Sequence, residues 1–158
     1  MAGTIKIEGM ADISEMLTKL GEKAQGVAGK GLYEGAGVMA DEIRNGAAGI
    51  KSEKFHYAVF ITRDPSNEEK AAIQDSVGIA KFQKNGSEVN TSIGYSNAGY
   101  TEIAGKRKPI PLIANAINSG TSFLKKQPFV RKAASSGAKK AEAAICAKIE
   151  SEIDQLTK

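Results

Sequence analysis

One histidine, His56, and one cysteine, Cys146, are all that 158 residues offer as imidazole base, thiol nucleophile or soft metal ligand. Catalysis needs a nucleophile in reach of a base, paired carboxylates, or several ligands converging on a metal. Neither residue has companions of that kind in the sequence. His56 falls inside the apolar run FHYAVFITR that begins at Phe55, where a half-buried strand histidine is the expected role. Cys146 lies in an alanine-rich stretch and reads as a small buried residue on a helix; being alone, it excludes an internal disulfide. No catalytic, metal-binding or cofactor-binding residue is assigned, and the expectation is a protein that is not an enzyme and takes no small-molecule substrate.

The remaining chemistry is cationic. Residues 1–100 hold 11 Lys/Arg against 13 Asp/Glu, and residues 101–158 hold 11 against 5, so the two parts carry −2 and +6 within a formal net charge of +4. Lys106-Arg107-Lys108, Lys125-Lys126, Arg131-Lys132 and Lys139-Lys140 are suited to phosphates or to an acidic protein surface. Aromatic residues make up only 6% of the chain and no recognition-module signature accompanies the charge, so specific nucleic-acid readout is not expected. A small basic nucleic-acid-binding protein stays as the alternative class. No apolar run approaches the ~20 residues that span a bilayer, and MAGTIKIEGM has no apolar signal core, so a membrane is not expected among the partners.

The elements that must position these cations are readable from spacing. "IKIEG" at 5–9 alternates as a short strand. Asp12 with Glu15 resembles a capping box, and Ile13, Met16, Leu17, Leu20, Ala24, Val27, Ala28, Leu32, Ala36, Met39 and Ile43 then recur at helical steps. Six glycines between Gly21 and Gly37 interrupt this stripe, which predicts either a break near Gly29–Gly31 or close approach by a neighbouring subunit. Residues 46–54 read as loop, 55–63 as a strand, and 68–75 as a short helix after the turn Asp64-Pro65-Ser66-Asn67. Asn85-Gly86 between alternating apolar residues predicts a hairpin over about 77–95, with a three-residue loop pairing Val77 with Ile93 and Ile79 with Thr91. Residues 98–108 read as an exposed, mobile excursion carrying Lys106, Arg107 and Lys108.

A short helix from Pro111 follows, with Leu112, Ile113, Ala116 and Ile117 inward and Gly120 as its stop. Pro128 fits the first position of a last helix whose stripe is Ala133, Ala134, Ala138, Ala141, Ile145, Ile149, Ile153 and Leu156. The segment between them, "GTSFLKKQPFVRKA", is a corner: Gly120 and Thr121 end one helix, Pro128 opens the next, Phe129 docks the loop, and Arg131 is free for contact. The fold class is α+β in one domain, 1–158: a small antiparallel sheet with its hairpin, packed against a long N-terminal and a long C-terminal helix.

In their order, "IKIEGM", "GLYEGAGVMADEIR", "IQDSVGIAKF…VNTSIGY" and "INSGTS…QPFVRKA" cover most of the chain and resemble a family. It is that of the neck or tail-completion proteins of long-tailed phages, the tail-component group that includes the lambdoid minor tail protein Z. The family's acidic-aromatic step before Gly-Thr is replaced here by Ala116-Ile117-Asn118-Ser119. The resemblance implies a structural virion protein at the neck or tail, assembled in the host cytoplasm. Its implied partners are copies of itself in a ring, the head connector and tail proteins. The contacts expected are Lys106, Arg107 and Lys108 in the excursion, and Gly120, Thr121, Phe129 and Arg131 at the corner.

Overall fold

The computed structural model describes residues 10–52, 64–86, 88–95, 99–103 and 105–156, with side chains for all of these except 10–20, 22, 85, 103 and 106. The expected strands at 5–9 and 55–63, and His56 with them, lie outside the described residues. The element order is α1 (Met10–Ala48), α2 (Asn67–Ser76), β1 (Val77–Ile79), β2 (Gln83–Asn85), β3 (Glu88–Asn90), β4 (Ile93–Tyr95), β5 (Tyr100–Ile103), β6 (Lys106–Pro109), α3 (Ile110–Ser119) and α4 (Phe129–Leu156). This is an α+β fold, with α1 and α4 packed along each other and the hairpin of β1 to β4 against α1.

α1 runs without the break near Gly29–Gly31 that was one of the two expectations, and it is already helical at Met10, so Asp12 is not its N-cap. Gly31, Gly35 and Gly46 are explained by α4 of the same chain, whereas Gly21, Gly26 and Gly37 have nothing within 4 Å of where a Cβ would be. A Cβ on Gly31 would meet Ile149 Cγ1 at 2.7 Å, one on Gly46 would meet the Phe129 carbonyl oxygen at 3.2 Å, and one on Gly35 would collide with Ile145. In return, Gly137 of α4 receives Met39, whose Sδ would lie 2.8 Å from an added Cβ. These pairs run in opposite directions along the chain, so the helices are antiparallel; the holes at Gly31, Gly35 and Gly137 are filled by Ile149, Ile145 and Met39, and Gly46 lies against the Phe129 backbone. The lost helical propensity, roughly 1 kcal/mol per glycine, is offset by the close packing it allows. On α4 the inward row is Phe129, Ala133, Gly137 and Ala141, whereas Ala134, Ala138 and Cys146 are exposed. The expected stripe counted Ala134 and Ala138 inward and buried Cys146; a strict four-residue step from Phe129 excludes all three positions.

The hairpin exists, but its register differs from the expected one. β1 and β4 pair Val77 with Tyr95 and Ile79 with Ile93, while β2 and β3 pair Gln83 with Asn90 and Asn85 with Glu88. Three residues separate β1 from β2 and two separate β3 from β4, which places one extra residue in the first arm as a bulge. The loop is accordingly the shorter, two-residue one, with Gly86 at φ 62°. The bulge lets Val77, Ile79, Ile93 and Tyr95 share the face toward α1, with Tyr95 packed on the core. It also carries Phe82 onto Gly29, where an added Cβ would lie 3.1 Å from the ring. The Gln25 amide donates to the Gly86 carbonyl (2.6 Å), and Arg44 Nη2 donates to the Val77 carbonyl (2.7 Å), so both ends of the hairpin are tied to α1.

α2 begins with a capping box: Ser66 Oγ accepts from Glu69 N (3.1 Å), and a Glu69 carboxylate oxygen accepts from Ser66 N (2.9 Å). One core unites Ala47, Ile50, Ile73, Ile110, Ile113, Ile117, Leu124 and Phe129, where α1, α2, α3 and the start of α4 meet. Leu112, expected inward, is 64% exposed; the buried row of α3 is Ile110, Ile113, Ala114 and Ile117. No helix of the described residues is long and apolar enough to cross a membrane.

Candidate functional site: the corner between the last two helices and the basic ribbon

The corner at 120–131 is built by hydrogen bonds that use each residue type of the motif. α3 ends where Gly120 N donates to the Ala116 carbonyl (2.8 Å) at φ 81°, a backbone state for which glycine is suited. An added Cβ there would also lie 2.8 Å from Lys126 Cβ. Thr121 Oγ1 accepts from both Phe123 N (3.2 Å) and Leu124 N (3.0 Å), and Thr121 N donates to the Leu124 carbonyl (3.0 Å). This small closed turn drives Leu124 into the core and leaves Phe123 77% exposed. Gln127 N then donates to the Ile117 carbonyl (2.8 Å), and Val130 N donates to Asn118 Oδ1 (3.2 Å), so α3 supplies a cap for α4. Pro128 stands one residue before α4, its carbonyl accepting from Lys132 N (3.1 Å).

The corner is also fastened to the end of α1. Gln127 Oε1 accepts from Lys51 N (2.8 Å) while its Nε2 donates to the Lys51 carbonyl (3.0 Å), imitating a strand pair. Beside this clamp lies a cavity of about 600 Å³, with Ile50 and Phe129 among its walls and Lys51, Lys125, Lys126 and Lys132 around it. Asp64 is the carboxylate among the described residues lining it, with Lys125 Nζ at 3.6 Å.

Of the sequence-assigned contacts, Gly120 and Thr121 are the residues that shape the corner, Arg131 is exposed, and Phe129 is 4% exposed within the core. Phe129 therefore acts as the anchor of the fold, and the exposed aromatic side chain of the corner is Phe123, which the sequence reading passed over. Its signal was the Thr121 hydroxyl two residues ahead, which turns the chain so that Leu124 and not Phe123 is buried.

Residues 100–103 and 106–109 form an antiparallel ribbon where a loop was expected. The register sets Thr101 opposite Lys108, Glu102 opposite Arg107 and Ile103 opposite Lys106, with Gly105 at φ 71° in the turn. Arg107 Cζ lies 4.3 Å from the Tyr100 ring centroid, a cation–π contact on the face that these diagonal neighbours share. Tyr100 is half exposed and Arg107 is exposed. The ribbon leads into α3 through Pro109, and the ten residues of α3 separate its base from the corner by about 15 Å. The two sets of assigned contacts are thus two surfaces at opposite ends of one helix.

Among the described residues no group of three His, Cys, Asp or Glu could hold a metal ion. Compared with known proteins, the chain matches no family model, no curated protein and no solved structure.

Proposed function

We propose that the chain is a structural protein of the phage head-to-tail junction, a neck or tail-completion component that joins a ring of its own copies and meets the head connector and tail proteins. Its role is assembly rather than catalysis, in the virion after formation in the host cytoplasm. The observation that supports this reading best is the corner. One of the four segments that carry the family resemblance, "INSGTS…QPFVRKA", holds the residues that lock this turn, and the lock leaves Phe123, Lys125, Lys126 and Arg131 exposed beside it. A contact surface ordered before binding loses less conformational entropy on association. The bulged hairpin of β1 to β4 and the ribbon of β5 and β6 are each two strands wide and add open strand edges, which suit pairing between subunits.

Removing the gene from a phage that carries it should leave filled heads and finished tails unjoined, as seen by electron microscopy of lysates. Normal virions from such a deletion would overturn the proposal. A second reading, binding to nucleic acid, is favoured by the ribbon, where Lys106, Arg107 and Lys108 lie in succession and Arg107 is braced on Tyr100. It requires affinity for DNA that falls steeply with salt and that drops when Arg107 and Lys108 are replaced by alanine.

A further inference from the structure

We propose that the cavity beside the corner is a docking site for an extended, carboxylate-rich segment of a partner protein. This rests on the reading of the corner as a partner contact and names the chemistry of what binds there. Among the described residues, four lysines line one cavity with one carboxylate, Asp64. Among the described residues only Lys125 of the four has a carboxylate within 4.0 Å, so Lys51, Lys126 and Lys132 stand as unopposed cations around the same space. The adjoining first turn of α4 adds to the imbalance: it contains no acidic residue and carries Arg131 and Lys132, the reverse of the charge that a helix start favours. Like charges gathered in this way repel, and a partner bearing carboxylates relieves the repulsion.

The occupant has apolar character as well. Pro128, Gly46, Gly49 and the methylene stems of the lysines form part of the wall, and about 600 Å³ is far more than one phosphate or carboxylate needs. A nucleic acid strand fits less well. Strand-binding grooves present open aromatic faces for stacking, whereas the aromatic residue among the described lining, Phe129, is 4% exposed, and Asp64 adds negative charge beside the phosphates. A peptide with alternating acidic and aliphatic side chains satisfies both the rim and the wall.

The test uses the full chain and a fluorescein-labelled peptide of glutamates and leucines, followed by anisotropy. Controls are the same peptide with glutamine for glutamate, the peptide with serine for leucine, and labelled oligo-dT. The glutamate–leucine peptide should bind, and each control should bind about tenfold more weakly, a difference of about 1.4 kcal/mol. Lys126→Glu with Lys132→Glu should weaken binding at least about tenfold at unchanged melting temperature. Should that double variant unfold, Lys126→Gln alone should still weaken binding measurably. Equal binding of the glutamine peptide, tighter binding of oligo-dT, or full affinity in the folded lysine variants would overturn the assignment. Virion yield separates this failure from failure of the junction reading. No peptide binding with lost joining removes the acidic occupant and leaves the junction role, while peptide binding with normal joining in the variants supports the cavity and removes the corner from the junction.

Discussion

Phe123 and Phe129 belong to one corner and have opposite surroundings: the first is 77% exposed and the second 4%. Phe129→Ala should destabilise the fold by about 3–5 kcal/mol, as truncation of buried phenylalanine does. Phe123→Ala and Arg131→Ala should each stay within about 0.5 kcal/mol of wild type in urea unfolding, while lowering the yield of joined virions. Loss of stability in Phe123→Ala, or full yield in both exposed-site variants, would remove the corner from the functional account. Tyr95 offers a second residue-scale prediction. Its hydroxyl is buried with no hydrogen-bond partner among the described residues, and burial pushes its pKa up to about 12. Tyr95→Phe should therefore raise stability by about 1 kcal/mol, because an unsatisfied polar atom is removed at constant shape. A loss of stability on this substitution would show that the hydroxyl is satisfied. The anchoring role of Phe129 was legible from Pro-Phe at a helix start, but which of the two phenylalanines is exposed depended on a threonine hydroxyl and on a turn only three dimensions display.

At the scale of elements, the glycines of α1 separate into those that touch α4 and those that do not. Gly35 lies against Ile145, with the Ala141 carbonyl oxygen 3.1 Å from where a Cβ would be, while Gly37 has nothing within 4 Å. Gly35→Val should cost about 1–3 kcal/mol through overpacking, whereas Gly37→Ala should gain about 0.5–1 kcal/mol through helix propensity and reduced backbone entropy. Thermal unfolding of the two variants checks the contrast, and equal effects would mean that the helices do not meet along this face. The helix itself was legible from its apolar spacing; the reason it tolerates glycine was not, because the complementary large residues lie on α4, more than a hundred positions away. The hairpin shows the same division. Asn85-Gly86 announced the turn, while the register was fixed by a bulge whose benefit is to face Tyr95 and Phe82 toward α1 and the core, a tertiary demand absent from local sequence.

Over the whole molecule, two glutamates clasp α1 to α4. Glu42 on α1 accepts from Lys140 Nζ (2.6 Å) and Ser136 Oγ (3.1 Å) on α4. Glu152 on α4 accepts from Lys30 Nζ on α1 (2.5 Å) and pairs with Lys148 on its own helix (3.0 Å). The hydrogen bond from Lys140, then that from Ser136, holds the Glu42 carboxyl below its ordinary value of 4.5; those from Lys30 and Lys148 do the same for Glu152. A carboxylate whose folded pKa is depressed contributes stability above its unfolded value, and that contribution disappears as the pH falls through the folded one. Urea midpoints should therefore fall as the pH is lowered from about 5 toward about 3, by loss of both clasps. Glu42→Gln with Glu152→Gln should be less stable than wild type near neutral pH and should show a flatter dependence through the same acid window, since the two titrating groups are gone. Added salt should narrow the difference at neutral pH, because Lys30 and Lys140 are both largely exposed and their attraction is screened. A double variant that keeps the wild-type slope between about pH 5 and pH 3 would mean that the acid sensitivity of the helix pair comes from other carboxylates.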